Sequence, residues 1–490
     1  MASGLQSSRC SGVPDPARSQ TKIVATVGPA SESESRLREL ILAGVDVFRL
    51  NTAHGSVGEH QARLDAIRRV SSELGQPIGV LIDLAGPKIR LGELPGGQLQ
   101  CDAGAAVRFV RGRDPANPHE LVTTYEPLVD EVSVGNRIML ADGAVSFVVR
   151  ALGKDYAACE VVQPGLIRSR QGVNLPGAKL SAPALSEKDK DFAIWAAKGG
   201  VDFVGLSFVR GPEEVKNLQS ILRAHGSQAQ VIAKIEKPEA LDRLEEIIEA
   251  ADGIMVARGD LGVEIDIAQT ALVQKRIVDA CSRLHKPVII ATQMLDSMQH
   301  SRLPTRAEVT DVANAVLDGT DACMLSGETA IGDYPVESVA MMHRIALATE
   351  PEVCRRHRPT GPDIPTVGPM PIAEGIVHCA VRAADELGAK LIVVATGTGQ
   401  VALSLSKNRI AVPTVGVSSS EAVLRRMSLY WGVVPLADVP TDDSRKLLEH
   451  VTAYGLAHGL LAPGDRVILI AGTGVGRLAH NAMLVHQLDA

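Results

Sequence analysis

The chain has 490 residues, of which 45% are hydrophobic and 22% charged, a balance that excludes an intrinsically disordered protein. Fifty basic side chains against 57 acidic ones leave a net charge of −7, so no bulk basic footprint for nucleic acid exists. Aromatic residues are 3%, too few for base-stacking platforms, and at roughly 100–200 residues per domain the length predicts two to four domains.

Residues 1–20 are rich in Ser, Gly and Pro and lack an apolar signal region. They predict a disordered tail. Short runs rich in Val and Ile then recur at 22–28, 45–51 and 77–86, with amphipathic helical patterns at 31–43 and 57–74. Ser31 and Glu34 have the spacing of a capping box. Over 88–183 the pattern changes to shorter β-like pieces separated by turn residues, such as VRFVRG, NRIMLAD, AVSFVVR and ACEVVQ. An ordinary βα connection has about two to six residues, so a segment this long predicts an inserted β domain with its own fold.

Five more apolar runs follow at 201–208, 230–236, 252–260, 287–293 and 321–328. Helical patterns lie at 211–225, 239–250, 267–285, 305–318 and 335–349, the last with Pro335 in its first turn. The strands are continuously apolar, as strands covered on both faces are. Eight strands alternating with helices predict a (β/α)₈ barrel over 21–87 and 184–350. An open doubly wound sheet has the same alternation. The Pro/Gly-rich segment 359–371 predicts a linker. Beyond it, a helix at 372–388 and strands at 391–395, 413–418, 432–436 and 466–471 predict a separate α/β domain over 351–490. The seven cysteines are scattered and form no C-x-x-C, which predicts free thiols in a reducing compartment. No run has the ~18 apolar residues of a membrane span. The expectation is a cytoplasmic protein.

Polar residues collect at the C-terminal ends of seven of the eight strands: Arg49, Asn51 and His54; Asp83; Ser207, with Arg210 following; Lys234 and Glu236; Asp260; Thr292 and Gln293; Ser326 and Glu328. In a closed barrel these ends meet at one mouth. A single Asp at a strand end is usually a helix cap, but seven strands ending this way are not explained by capping. Glu236 and Asp260 are hard oxygen donors with no His or Cys beside them, a set suited to Mg²⁺ or Mn²⁺. Arg49 and Lys234 add positive charge, which predicts an anionic substrate, most naturally a phosphate. The turn Ala257–Gly262 offers backbone N–H groups where glycine permits close approach.

These residues sit in strings that resemble the pyruvate kinase family: TKIVATVGPAS (21–31), GVNLPG (172–177), LSEKD (185–189), LSFVR (206–210), AKIE (233–236), MVARGDLGVEI (255–265), ATQMLDSM (291–298) and the run PTRAEVTDVANAVLDGTDACMLSGETAIGDYP from 304. The resemblance implies a (β/α)₈ barrel with a β-barrel lid over 88–183 and a C-terminal regulatory domain, usually in a homotetramer. It implies transfer of the phosphoryl group of phosphoenolpyruvate to ADP. Glu236 and Asp260 would hold the divalent metal, Lys234 would stabilise the phosphoryl group in flight, and Arg49 and Arg90 would hold the phosphate. Gly259, Asp260 and Thr292 would position the substrate carboxylate, with Ser207 and Ser326 beside them. Asn51, His54, Arg90 and Arg170 would face the nucleotide, and Thr292 and Ser326 would lie where the enolate is protonated.

Departures from the family pattern carry their own expectations. Ala53 stands where potassium-activated members have a Ser ligand, and Lys88 stands where they have Glu. An ammonium near Asp83 and Asn51 would replace K⁺, so K⁺ is not expected to be required. Arg170 and Gln171 precede GVNLPG, where many members have a Lys that helps bind nucleotide phosphate, and Arg170 would substitute for it. The loop with Thr396, Thr398 and Gly399 keeps part of an effector phosphate loop, but Gln400 and Val401 depart from it. A phosphorylated effector such as AMP or a sugar monophosphate is expected in preference to a bisphosphate. The string Gly472–Gly476 is not spaced as a dinucleotide motif and predicts a tight turn near that pocket. Two other classes share parts of this pattern: a metal-dependent pyruvate aldolase, and a catalytically dead homologue that only binds.

Overall fold

A computed structural model describes residues 18–112, 117, 119–141, 143–178, 181–356, 371–441, 443–471 and 482–489. The tail before Arg18, most of the 359–371 linker and the Gly472–Gly476 string lie outside the described residues.

Eight parallel strands close into a barrel in sequential order: β1 (Lys22–Thr26), β2 (Val47–Asn51), β3 (Gly79–Asp83), β4 (Phe203–Leu206), β5 (Gln230–Ile235), β6 (Gly253–Ala257), β7 (Val288–Ala291) and β8 (Ala322–Leu325). The open-sheet alternative is thereby excluded. Side chains alternate along each strand. Val24, Val47, Leu81, Phe203, Ile232, Met255 and Ile289 fill the lumen, while Val231, Ala233 and Ile235 pack outward against the helices. The alternation also decides the mouth: Arg49 stands two residues above Val47, Asp83 above Leu81 and Lys234 above Ile232, so all three point into the barrel.

The helices largely follow the expected periodicity, with informative exceptions. Ser33 caps the helix Glu34–Ala43, while Ser31 Oγ accepts the Gly28 N–H at 3.1 Å, so the Ser31 capping box is corrected. The expected helix 239–250 is two pieces, Pro238–Asp242 and Leu244–Ala250, broken at Arg243. The helix from Pro335 runs to Arg356. A helix at Glu187–Gly199 was not foreseen, nor was the one at Arg258–Glu264. Arg18, Ser19 and Gln20, expected in the disordered tail, are fixed instead: Arg18 pairs with Asp46 at 3.1 Å, and the Gln20 N–H donates to Glu350 at 3.0 Å.

Between β3 and β4 the chain builds the inserted β domain. Its main sheet has six strands in the order Val173–Asn174, Arg137–Leu140, Val145–Leu152, Tyr156–Gln163, Ala106–Val110 and Glu120–Leu121. Gln98–Cys101 and Gly165–Arg168 pair separately. The Phe109 and Phe147 rings meet edge to face at 5.6 Å in its own core. The C-terminal unit is a five-stranded sheet containing Leu391–Ala395, Thr414–Val417, Val433–Leu436 and Arg466–Ala471. An antiparallel edge strand, Ala482–Gln487, was not anticipated.

The barrel floor is closed by a repeated device. Asp46, Asp202, Asp252 and Asp321 stand directly before β2, β4, β6 and β8. Each carboxylate accepts the N–H of the preceding odd strand: Ile23 (2.9 Å), Val80 (2.8 Å), Val231 (2.8 Å) and Val288 (2.8 Å). Each Asp N–H donates back to the carbonyl of that same residue. The C-terminal unit docks on this floor. Arg425 binds Asp202 at 2.8 Å, and Lys407 and Arg409 bind the fully buried Asp321 at 2.6 and 3.0 Å. Leu424, Met427 and Tyr430 continue the lumen core from below. Gly79 eases this approach, because a Cβ there would lie 3.1 Å from the Arg425 carbonyl, a tight contact. Among the described residues no helix is long and apolar enough to cross a membrane.

Candidate active site

The mouth is organised around one buried ammonium. Lys234 Nζ donates to Ser207 Oγ at 2.7 Å and lies 2.9 Å from Glu236 Oε1 and 3.3 Å from Asp83 Oδ1. Burial alone would lower the Lys234 pKa; the Asp83 and Glu236 carboxylates reverse that and raise it above the ordinary lysine range. The side chain therefore carries a fixed positive charge. Asp83 is shared with Arg49, whose Nε and Nη2 reach Asp83 Oδ2 at 2.8 and 2.6 Å. Arg49 Nη1 donates to Thr26 Oγ1 at 3.0 Å. Burial would raise the Asp83 pKa, but Lys234 and Arg49 together hold it below the usual carboxylate range. The Ser207 hydroxyl donates to the Leu84 carbonyl at 2.7 Å, which leaves its lone pairs for Lys234.

Glu236 is 1% exposed. Its Oε2 accepts the Phe208 N–H at 2.7 Å, while Oε1 has no directed hydrogen bond. Burial raises its pKa, Lys234 pulls it back, Asp260 adds to the rise, and the net direction is upward. A divalent cation would relieve that clustering of negative charge. The two carboxylates, with Glu236 Oε1 ion-paired to Lys234 but free of a directed hydrogen bond, fit Mg²⁺, which takes one or two carboxylates and completes its shell with water and substrate oxygens. Among the described residues no group of three or more His, Cys, Asp or Glu forms a denser ligand cluster.

Asp260 does not end a strand. β6 stops at Ala257, and residues 258–264 form a short helix, which corrects both the strand 252–260 and the open turn expected at 257–262. The Gly259 N–H is already taken by Thr292 Oγ1 at 2.7 Å. Thr292 has a left-handed backbone, φ +69°, and Arg258 grips its carbonyl at 2.9 Å while bonding Asp311 at 2.7 Å. Across the mouth, the Ser326 N–H donates to the buried Glu328 at 2.7 Å, and Ser326 Oγ has no partner among the described residues.

A cleft of about 260 Å³ opens between the barrel rim and the inserted domain, lined among others by Lys88, Arg90, Arg210, Lys237 and Asp260. Lys88 is exposed on its wall and pairs with no carboxylate among the described residues. The structure does not join it to Asp83, which Arg49 and Lys234 occupy, or to Asn51, whose Oδ1 accepts the Ala53 N–H at 3.1 Å. Arg90 reaches the Arg170 carbonyl at 3.2 Å, but the Arg170 side chain is 80% exposed and turned to Glu93 at 2.5 Å. His54 is exposed, and its carbonyl is held by the buried His60 ring at 2.9 Å. In the C-terminal unit, Thr396 Oγ1 accepts the Gly399 N–H at 3.0 Å and Thr398 Oγ1 accepts from Gln400 at 3.4 Å, so the loop is self-braced.

Two functional side chains escaped the sequence reading. Thr26 braces Arg49, and Lys237 lines the cleft while bound to Glu264 at 2.5 Å. Thr26 had a signal: it occupies the lumen parity at the top of β1. Lys237 had one too, as the neighbour of Glu236.

Comparison with known proteins agrees with this geometry. Residues 18–339 match the family model described as pyruvate kinase, barrel domain, and residues 374–486 match pyruvate kinase, alpha/beta domain. A pyruvate kinase of Geobacillus stearothermophilus is 40% identical over 474 residues, covering 96% of this chain and 80% of that protein. One from Sporosarcina psychrophila is 41% identical over 475 residues, with the same coverage. The crystal structure of a pyruvate kinase from Cryptosporidium parvum superposes with a TM-score of 0.89 at 33% identity, covering 96% of each chain. With both family models matched in order and a barrel mouth built on Lys234, Arg49 and Glu236, the chain belongs to the pyruvate kinase family.

Proposed function

We propose that this chain transfers the phosphoryl group of phosphoenolpyruvate to ADP, giving pyruvate and ATP. One observation carries the reading: a permanently charged, buried Lys234 between Asp83 and Glu236, with the Arg49 guanidinium fixed beside it. Phosphoryl transfer has a loose transition state, and catalysis rests on positioning and neutralising charge on the moving group. Lys234 supplies a charge that needs no reorganisation. Arg49 is oriented by Asp83 and Thr26 before substrate arrives, with donor capacity left for phosphoryl oxygens. Glu236 and Asp260 would hold Mg²⁺, or Mn²⁺, which when bound adds charge neutralisation and substrate orientation. Gly259, Asp260 and Thr292 form the wall suited to the substrate carboxylate. The Ser326 hydroxyl, which has no hydrogen-bond partner among the described residues, and Thr292 stand on the side from which a proton would reach the enolate carbon. Asn51, His54 and Arg90 face the nucleotide, and Arg170 joins them only by swinging away from Glu93.

Lys88, on the cleft wall, supplies the monovalent charge, so K⁺ is not required. Thr396, Thr398 and Gly399 accept a phosphorylated effector such as AMP or a sugar monophosphate. The exposed Ile267, Leu272 and Leu303 support assembly into a homotetramer. The free cysteines, four of them buried, support a reducing cytoplasm. Purified protein given phosphoenolpyruvate, ADP and Mg²⁺ should form pyruvate and ATP in equal amounts. Binding of phosphoenolpyruvate and metal without turnover would instead mark a binding-only homologue.

A further inference from the structure

The inserted domain hangs from the barrel by two straps, and their bases meet at one buried carboxylate. The inbound strap leaves β3 through a series of hydrogen bonds to the barrel. Ser207 Oγ holds the Leu84 carbonyl at 2.7 Å, the Ala85 N–H donates to Thr52 Oγ1 at 3.1 Å, and the Gly86 N–H donates to Asp189 Oδ1 at 3.3 Å. Beyond Gly86 the partners are in the inserted domain itself, as with the Arg90 N–H on Thr124 at 2.9 Å. The outbound strap returns at Ser186. Its N–H and hydroxyl both donate to Asp189 Oδ2, at 3.0 and 2.5 Å. Asp189 is 2% exposed. One oxygen thus holds the inbound strap and the other the outbound strap.

The capping role of Asp189 explains only Oδ2. The N3 residue of a capping box needs to reach its own N-cap and nothing else. The bond to Gly86, 103 positions earlier in the chain, is an addition. It is also placed at a point that cannot drift. Gly86 has φ +67°, and a Cβ there would meet Phe208 Cδ2 at 2.7 Å and Ser207 Cβ at 3.0 Å. Phe208 donates its N–H to Glu236, and Ser207 accepts from Lys234. The strap base therefore rests directly on the two residues that hold the reacting groups.

We propose that Asp189 is a positioning residue for phosphoryl transfer: it pins the inbound strap at Gly86 to the outbound strap at Ser186, so that the inserted domain closes on a fixed axis over Lys234 and Glu236. The proposal rests on the kinase reading of the site. Hinge residues far from the chemistry characteristically change kcat, and a misplacement of about 1 Å can cost about 10²-fold.

The test compares Asp189→Asn with Ser186→Ala. Asn keeps one oxygen for Ser186 but presents N–H groups to the Gly86 N–H, so the tie breaks while the cap survives. Ser186→Ala removes the hydroxyl of the cap and leaves the tie. Asp189→Asn should lower kcat roughly tenfold, leave the affinity for phosphoenolpyruvate with Mg²⁺ unchanged, and speed hydrogen exchange of the Gly86 amide. Ser186→Ala should retain wild-type kcat and slow exchange at Gly86. Wild-type kcat in Asp189→Asn, or equal effects of the two variants, overturns the proposal. If Asp189→Asn does not fold, single-amide hydrogen exchange on the wild-type protein decides: a Gly86 amide protected like that of Leu84 supports the tie, and one exchanging like a surface amide overturns it. Hydrogen exchange does not depend on turnover, so a wild-type protein inactive on phosphoenolpyruvate and ADP would fail the kinase reading separately.

Discussion

Lys234 is where single-residue chemistry is most exposed to test. Its ammonium is buried and charged, donates to the Ser207 hydroxyl and is paired with the Asp83 and Glu236 carboxylates. Lys234→Met should lower kcat by roughly a thousandfold, the scale of losing a preorganised electrostatic donor, while circular dichroism shows a retained fold. Turnover within tenfold of wild type would remove Lys234 from the mechanism. Lys88 gives the second prediction at this scale. Rates in strictly K⁺-free buffer and in KCl at matched ionic strength should be equal. Lys88→Glu should lose K⁺-free activity and regain it with added KCl, because a negative charge then stands where a cation is needed. A wild-type rate that depends on K⁺ would end the proposed role of Lys88. Lys234, Arg49 and Asp83 were legible because they stand as polar residues at the ends of apolar strand runs, and the parity of the closed barrel then places all three in the lumen. The exposed rotamer of Arg170 was not, since nothing local records that Glu93 competes for it.

At the scale of elements, the helix Glu187–Gly199 links the outbound strap to the loop carrying His54. Phe192 and Trp195 project from it and pack against His60, with ring centroids 5.6 and 6.2 Å away. His60 Nε2 must carry its proton to donate to the His54 carbonyl, and Nδ1 is buried without a hydrogen-bond partner among the described residues. Burial lowers the His60 pKa below the ordinary 6.5. The unfolded chain therefore takes up this proton first as the pH falls below about 6.5, and folded stability declines from there until the folded pKa is reached. The fall in Tm from pH 7.5 to 5.5 should be smaller in His60→Gln than in wild type. An equal fall would show that His60 does not contribute. His285, lowered by burial in the same way, contributes in both proteins. The helix itself had a readable signal, Ser186 and Asp189 at capping-box spacing. It was hidden because LSEKD was read only as a family string. Arg258–Glu264 had no such signal: two glycines in seven residues argue for a turn, and the Arg258 bonds to Asp311 and the Thr292 carbonyl, distant in sequence, hold it helical.

The whole molecule is held together from the floor. Arg409 and Lys407 keep the buried Asp321 ionised, below its ordinary pKa despite desolvation. Asp321→Ala would leave two buried cations without their anion, a change that typically costs about 3–5 kcal/mol. Urea unfolding should report that loss, while kcat per folded molecule stays within about twofold, because Asp321 stands at the end of β8 opposite Ser326. A loss under about 1 kcal/mol would mean that the C-terminal unit docks mainly through Leu424, Met427 and Tyr430. The barrel, the inserted domain and the C-terminal unit were legible from apolar runs and their spacing. The docking face was not, because Arg425, Lys407 and Arg409 look like ordinary surface charges until the fold brings Asp202 and Asp321 to them. The Asp before each even strand was visible in GVDVF, GVDFV, AADGI and GTDAC, yet only closure of the barrel gives those four residues a common purpose.

That purpose has a consequence for how the molecule tolerates rebuilding. Each floor aspartate staples an odd strand to the even strand after it, so at its base the barrel is made of four stapled two-strand quarters. The inserted domain interrupts the second quarter, yet Asp202 fastens β4 to Val80 of β3 beneath the whole excursion. The quarter is closed at its base whatever the chain does above, and the cost of a longer loop grows only logarithmically. The inserted domain is in this sense cargo carried by a sealed joint: it can be shortened, exchanged or enlarged by descent or by design, and the barrel beneath it does not have to be reinvented.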